Sequence, residues 1–125
     1  MEKQGSANCF SESETEIANG KVYEDAGDIL FNDMDPENAH RHIKNSVSGM
    51  IRSGEKLVCL GGDHSVTFPI IEAFAEKFTD LNILHLDAHA DLYDNFDNNP
   101  FSHASPFARI MEQGKIKWRE WTKKK

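Results

Sequence analysis

The feature that most constrains the fold is a pair of short apolar runs, residues 57–60 and 82–86. The first run does not alternate apolar with polar residues, which is typical of a strand covered on both faces. Between the runs, apolar side chains keep helical spacing from Thr67 to Phe78. A strand, a helix and a second strand in this order form a β-α-β unit with parallel strands and a right-handed crossover. The sequence therefore predicts an α/β fold in which the C-terminal ends of both strands meet at one site.

Side chains of the types that bind metal ions come directly after each predicted strand. Asp87, His89 and Asp91 occupy alternate positions after the second run. Because successive side chains of an extended backbone point to opposite faces, these three are predicted to project in one direction. His64 follows the first run within a Gly-Gly-Asp-His-Ser pentapeptide and is predicted to reach the same site. The pattern indicates a metal centre at the strand ends.

The donor types at this predicted centre favour manganese. Carboxylates with imidazoles form a hard, oxygen-rich set, whereas structural zinc prefers thiolates, and neither Cys9 nor Cys59 has ligand spacing. Calcium binds oxygen almost alone, and magnesium seldom binds imidazole. Manganese(II) accepts carboxylate, imidazole and water together. Asp87 is central among the predicted ligands and is the natural bridge between two ions that share an activated water.

Other residues of reactive types are predicted to have structural positions. Cys59, within the first strand, is predicted to be a small buried core residue. Asp35 is predicted to cap the N-terminus of a helix, and His40 and His42 lie off the apolar stripe of that helix and are predicted to be exposed. In an alternative interpretation, the Asp-x-His-x-Asp triplet itself is a polar loop that caps helices and bonds backbone carbonyls.

Charge and hydropathy restrict the partners. The net charge is −7, yet residues 115–125 hold six of the 14 basic side chains and one of the 21 acidic ones. The rest of the chain is therefore strongly acidic and is predicted not to bind nucleic acid. The sequence contains no run of about 18 apolar residues and no apolar N-terminal signal segment, so neither a membrane span nor export is expected. A cytoplasmic location is predicted.

The two ligand motifs, taken together, resemble those of the ureohydrolases, the family of arginase, agmatinase, guanidinobutyrase and formiminoglutamase. Gly-Gly-Asp-His-Ser at 61–65 and His-Leu-Asp-Ala-His-Ala-Asp at 85–91 occur in the family order, and Ser-His-Ala-Ser-Pro-Phe at 102–107 is similar to a third segment. The resemblance implies a three-layer α/β/α arginase-like fold with a mostly parallel sheet, of which residues 1–114 form the N-terminal part. Residues 115–125 form a basic, tryptophan-containing tail that does not resemble the family.

The resemblance also implies roles for individual residues. His64 and Asp91 would bind one manganese ion and His89 the second. Asp87 would bind both ions. His103 would deliver a proton to the leaving amine after water activated by the metal attacks the guanidinium carbon, a role that suits a group with a pKa near neutrality.

Two neighbours of the ligands have supporting roles in the predicted site, and some features of the family site are missing. His85 and Asp63 are predicted to support the ligands rather than bind metal. Ureohydrolases carry a later Ser-x-Asp-x-Asp segment that completes both metal shells and a later Glu that binds the guanidinium, and neither is found in this sequence. The substrate-binding residues are therefore not identified.

The leading hypothesis is a manganese ureohydrolase that releases urea from a small, agmatine-like guanidino compound. Two alternatives stay open: a truncated, catalytically inactive remnant that binds metal, and an arginase rather than an agmatinase. Because the family commonly forms homo-oligomers, the resemblance implies one for the complete enzyme. The sequence does not distinguish agmatine from arginine or another guanidino substrate.

Overall fold

Three α-helices and a 3₁₀ turn make up the regular structure of the computed structural model, which describes residues 23–51 and 56–114. Helix α1 spans Pro36–Ile51, α2 spans Thr67–Lys77 and α3 spans Pro106–Glu112. The 3₁₀ turn, His64–Val66, comes directly before α2. None of the described helices is long and apolar enough to cross a membrane. Cys9 and the predicted tail lie outside the described residues.

Helix α1 begins at Pro36, as the sequence predicts. The Asp35 carboxylate accepts a hydrogen bond from the backbone N–H of Asn38 at 2.9 Å, which satisfies a donor that the helix leaves free. This bond, together with one from the Asn38 side chain, lowers the pKa of Asp35. Pro36 is suited to the first turn because it has no N–H to leave unpaired.

Two apolar clusters hold the helices together. The first joins α1 to α2 through Ile43, Val47, Ile51 and Ala73, all of which are buried. The spacing of four residues between the α1 members places them on one face of the helix. The second cluster joins α2 to α3 through Phe68, Phe107 and Ile110.

The two predicted strands are the part of the fold that differs most from the expectation. Residues 57–60 and 82–86 are not hydrogen-bonded into a β-ladder in the described structure. Burial still alternates along the second segment, because Ile83 and His85 face the helices and the residues next to them do not. This period of two agrees with an extended backbone.

One face of these extended segments is open to solvent. Four apolar side chains on it are more than four-fifths exposed: Val58, Leu60, Leu84 and Leu86. The expectation that the first segment is covered on both faces is therefore wrong for the described chain, since the helices cover one side only. Parallel sheets occur almost only with both faces covered, and among the described residues the pairing and the second cover are both missing.

Two further expectations are corrected by the structure. Cys59 is exposed, because it belongs to the same uncovered segment. His40 is half-buried rather than exposed, because its Nε2 bonds Glu72 Oε2 at 2.8 Å across the α1–α2 interface. His42 is likewise half-buried and lies edge-on to Phe31.

Helix α3 connects the core to the loop that follows residue 86. Pro106 opens the helix, and Gly114 follows it with a φ of 60°. The backbone N–H of Phe107 donates to the carbonyl of Asp91 at 3.2 Å, and that of Tyr93 donates to Ala104 at 3.1 Å. These bonds fix the start of α3 beside the predicted metal ligands.

Candidate metal centre

Tight turns around the Gly-Gly-Asp-His-Ser motif position His64. The Asp63 carboxylate accepts the backbone N–H of Ser65 at 2.8 Å and so caps the 3₁₀ turn that begins at His64. A Cβ at Gly61 would clash with Cγ2 of Val66, so glycine lets the chain pass close to this side chain. Hydrogen bonds from the Ser65 side chain and backbone, with nearby His103 and His64, lower the pKa of Asp63.

His64 and Asp91 meet at the centre of the site. The Asp91 carboxylate Oδ2 lies 2.6 Å from Nδ1 of His64, and only 12% of the Asp91 side chain is exposed. Asp91 adopts a φ of 50°, in the left-handed region that aspartate tolerates better than most residues. Its backbone is held there by the bond from Phe107. The turn chemistry at both residues therefore directs two metal-binding groups at each other.

Asp87 completes this group from the other side. Its Oδ2 lies 4.0 Å from Nδ1 of His64, and its Oδ1 accepts the backbone N–H of His89 at 2.9 Å. That backbone bond, aided by the charges of His85 and His64, lowers the pKa of Asp87. The carboxylate is thus held in its ionised form, which is the form that binds a cation.

His85 lies in the same group, although the sequence interpretation gave it only a supporting role. Its Nε2 is 3.9 Å from Asp87 Oδ2, and its ring packs on Phe107 with centroids 4.1 Å apart. His64, His85, Asp87 and Asp91 each offer one ligand atom, and these atoms all lie within 4.8 Å of one another. The sequence signal for this placement is that residues 85, 87 and 91 are separated by even numbers of positions, which puts them on one face of an extended backbone.

His89, in contrast, is not part of this four-residue group. Its side chain is 82% exposed, and its Nδ1 lies 3.4 Å from Asp87 Oδ1, whereas His64 is paired with Oδ2 of the same carboxylate. The His89 imidazole therefore approaches a different Asp87 oxygen from the one that His64 approaches. The predicted role of His89 as a ligand to a second ion stays a prediction.

His103 lies at an open cleft beside these ligands. The cleft has a volume of about 510 Å³ and is lined in part by His89, Asp91, Tyr93 and His103. His103 is exposed and packs edge-on against Phe96, with centroids 5.3 Å apart. A small molecule in the cleft would contact both the predicted ligands and the predicted proton donor.

Chemically, the arrangement is a cation site beside an open space. Two carboxylates and two imidazoles converge at distances that suit a single divalent ion. One of these donors, Nε2 of His85, is buried and has no hydrogen-bond partner among the described residues. A bound cation would satisfy that nitrogen, so the residues fit a metal ion.

Comparison with known proteins shows which family the chain resembles. Its sequence matches the profile of the Arginase family over residues 3–122. It is 46% identical over 78 residues to N(1)-aminopropylagmatine ureohydrolase of Thermus thermophilus, covering 62% of this chain and 27% of that protein. It is 40% identical over 118 residues to "Arginase 2, chloroplastic/mitochondrial" of Arabidopsis thaliana, covering 88% of this chain and 34% of that protein.

A solved structure shows the same fold. The arginase from Medicago truncatula superposes with a TM-score of 0.77 at 38% identity, over 90% of this chain and 37% of that one. The chain thus spans about a third of the length of the relatives it matches. It has the α/β fold of arginases, represented here by the helices and extended segments that surround the metal-binding group. The chain belongs to the Arginase family.

Proposed function

We propose that this chain supplies part of the manganese centre of a ureohydrolase that hydrolyses a small guanidino compound and releases urea. The observation that carries the proposal is the convergence of His64, Asp87 and Asp91, from two separate motifs, beside an open cleft. Mixed carboxylate and imidazole donors favour manganese over calcium, magnesium or structural zinc.

In this proposal, the residues of the site have separate roles. His64 and Asp91 would hold one ion, His89 would hold the second, and the Asp87 carboxylate would contact both. When bound, manganese supplies Lewis-acid activation of water. His103, at the rim of the cleft, gives a proton to the amine that leaves the guanidinium carbon. The complete enzyme is a homo-oligomer.

The substrate we favour is agmatine-like. Two features support it: the Ser-His-Ala-Ser-Pro-Phe segment at 102–107, and the 46% identity to a relative named as an aminopropylagmatine ureohydrolase. The rival is arginine, favoured by the identity to plant arginases over a longer stretch. The guanidino group is common to both, so the metal chemistry is the same and the substrates differ only in the group beyond the guanidinium.

A chimera tests this function. The 78 residues of this chain that align with the Thermus relative replace their counterpart in that protein, and urea release is measured with manganese and with agmatine, aminopropylagmatine or arginine. We expect urea from an agmatine-like substrate, and loss of at least about 10²-fold in rate with Asp87→Asn. Preference for arginine would shift the assignment to arginase. A folded, manganese-loaded chimera that releases no urea, or one whose Asp87→Asn variant stays active, would contradict the proposal.

A further inference from the structure

We infer that His40 is a positioning residue for His103, because its ring supports Phe101 and so fixes the loop, residues 92–105, that carries His103 to the cleft. The inference rests on the proposed function, in which His103 gives a proton to the leaving amine. His40 lies on α1, and its imidazole is centred 5.2 Å from the ring of Phe101, two residues before His103. A side chain of the first helix thus contacts the loop that follows the metal-binding group.

Glu72 holds one edge of the His40 ring. Nε2 of His40 lies 2.8 Å from Glu72 Oε2, and the two side chains are only 14% and 12% exposed. Glu72 is held in turn by Lys44 at 3.1 Å and by the side chain of Gln113, which donates a hydrogen bond at 3.0 Å. A hydrogen bond to a carboxylate is stronger than one between neutral groups. The imidazole is therefore kept in one orientation at the α1–α2 interface.

The rest of the His40 ring packs against two phenylalanines. Its centroid is 4.5 Å from that of Phe68 and 5.2 Å from that of Phe101, with tilts of 46° and 49°. Phe68 and Phe101 are stacked on each other with centroids 6.5 Å apart. These separations are typical of favourable aromatic pairs. Because Phe68 is buried in the cluster that joins α2 to α3, that cluster and His40 together fix Phe101.

The chain between Phe101 and His103 has little freedom to move. The backbone N–H of Phe101 donates to Asn99 Oδ1 at 2.9 Å. Ser102 is buried, and its hydroxyl lies 2.8 Å from that of Ser105. The side chain of His103 is exposed, so the backbone that its neighbours hold largely sets where the imidazole lies. Loss of support for Phe101 should therefore displace His103.

Displacement of a proton donor has a large effect on rate. The donor must lie within hydrogen-bond reach of the atom that it protonates, and a misplacement of about 1 Å can cost about 10²-fold. None of the contacts described for His40 involves the four-residue metal-binding group. A change at His40 should therefore lower turnover and leave manganese binding intact.

Amide hydrogen exchange of the intact chain, followed by NMR, tests the support of the loop. His40→Gln keeps a side-chain N–H that can donate to Glu72 but removes the ring from Phe101. The hydrogen-bonded amides of Phe101 and Ser102 should then exchange at least about tenfold faster. Amides on the buried faces of α1 and α2 should exchange as in the wild type, because the bond between these helices is kept.

Two further variants separate the ring of His40 from its hydrogen bond. His40→Phe keeps an aromatic ring against Phe101 and loses the bond to Glu72. Its loop amides should stay protected, while the midpoint of urea unfolding falls. His42→Gln is the matched control, since His42 lies on the same helix but packs on Phe31, and it should leave the loop amides unchanged.

Turnover shows whether the support acts through His103. The part of this chain that aligns with the Arabidopsis arginase is long enough to contain both His40 and His103. It replaces its counterpart in that protein, and urea release is measured with manganese and with arginine or agmatine. His40→Gln should lower kcat at least about tenfold with unchanged manganese content. In the His103→Ala background the same change should have no further effect, because a positioning residue acts only through the group that it positions.

The outcomes separate this inference from the proposed function. Three results would overturn the inference alone: loop amides that stay protected in His40→Gln, exchange that rises equally in α1 and α2, or a loss of kcat that persists in the His103→Ala background. If the folded, manganese-loaded chimera releases no urea, or if His103→Ala leaves turnover unchanged, the proposed function fails and this inference fails with it. Should His40→Gln not fold, Phe101→Leu, which loses the same contact from the loop side, decides by the same measurements.

Discussion

Truncation of Phe107 should weaken the fold and the metal centre together. Phe107 is 3% exposed, belongs to the cluster with Phe68 and Ile110, and packs on the ring of His85. Removing a buried phenylalanine side chain costs about 3–5 kcal/mol, because the transfer free energy of the ring is lost and a cavity is left. A domain of this size is stabilised by about 5–15 kcal/mol in total, so Phe107→Ala should remove a large fraction of it.

A matched control isolates burial from the chemistry of the change. Phe78 follows α2 and is 45% exposed, so its ring retains about half of the transfer free energy of 1.5–3 kcal/mol and leaves no closed cavity. Phe78→Ala should therefore cost about 1 kcal/mol. Phe107→Leu, which keeps most of the buried volume, should cost less than about 1.5 kcal/mol and should leave a folded chain for metal titration.

Urea unfolding followed by circular dichroism at 222 nm measures these differences as shifts of the transition midpoint. The same samples, titrated with Mn²⁺, should show weaker binding for Phe107→Leu than for Phe78→Ala, because only the first residue contacts His85. Equal destabilisation by Phe107→Ala and Phe78→Ala would refute the idea that the α2–α3 cluster holds this part of the chain together.

Four more outcomes follow from named contacts. Burial disfavours ionised Glu72, yet bonds from His40, Gln113 and Lys44 outweigh it and put its pKa below the usual 4.5. Its contribution to stability is therefore complete above that pH and is lost as pH falls through the lowered pKa. On acid titration the free energy of unfolding should fall less steeply with decreasing pH in Glu72→Gln than in the wild type, and an equal slope would contradict this. Asp35→Ala should lower the free energy of unfolding, with Asp35→Asn close to wild type in the same denaturation assay. In the active chimera, His103→Ala should lower turnover with unchanged manganese content by metal analysis; lost metal would make His103 a ligand. These 125 residues alone should release negligible urea from agmatine or arginine, since they lack the later family carboxylates; urea that rises with chain concentration and vanishes in Asp87→Ala would contradict that.

Local patterns predicted the helices and the meeting of the two ligand motifs. Asp35 and Pro36 mark the start of α1, and the four-residue spacing of Ile43, Val47 and Ile51 marks its buried face. His64 and Asp91 are 27 residues apart, and the predicted strand–helix–strand order puts them at one site, where the structure also has them although the two segments are not paired. Periodicity and turn chemistry act over a few residues, and these elements depend on little else.

Features that depend on distant partners were missed. The His40–Glu72 bond joins residues 32 positions apart on two helices, and no spacing rule relates them. The exposure of Leu84 and Leu86 depends on what covers the second face, which the apolar run itself does not specify. His85 and His89 share the same parity, and only tertiary packing on Phe107 gives them different surroundings.

Anomalous diffraction at the manganese edge, from crystals of this chain grown with Mn²⁺, tests the central claim most directly. The account predicts a peak within about 2.5 Å of His64 Nδ1, Asp87 Oδ2 and Asp91 Oδ2. Crystals of the Asp87→Ala variant grown in the same way should lack it. A manganese peak bound elsewhere, or none at this group in well-ordered crystals, would contradict the account.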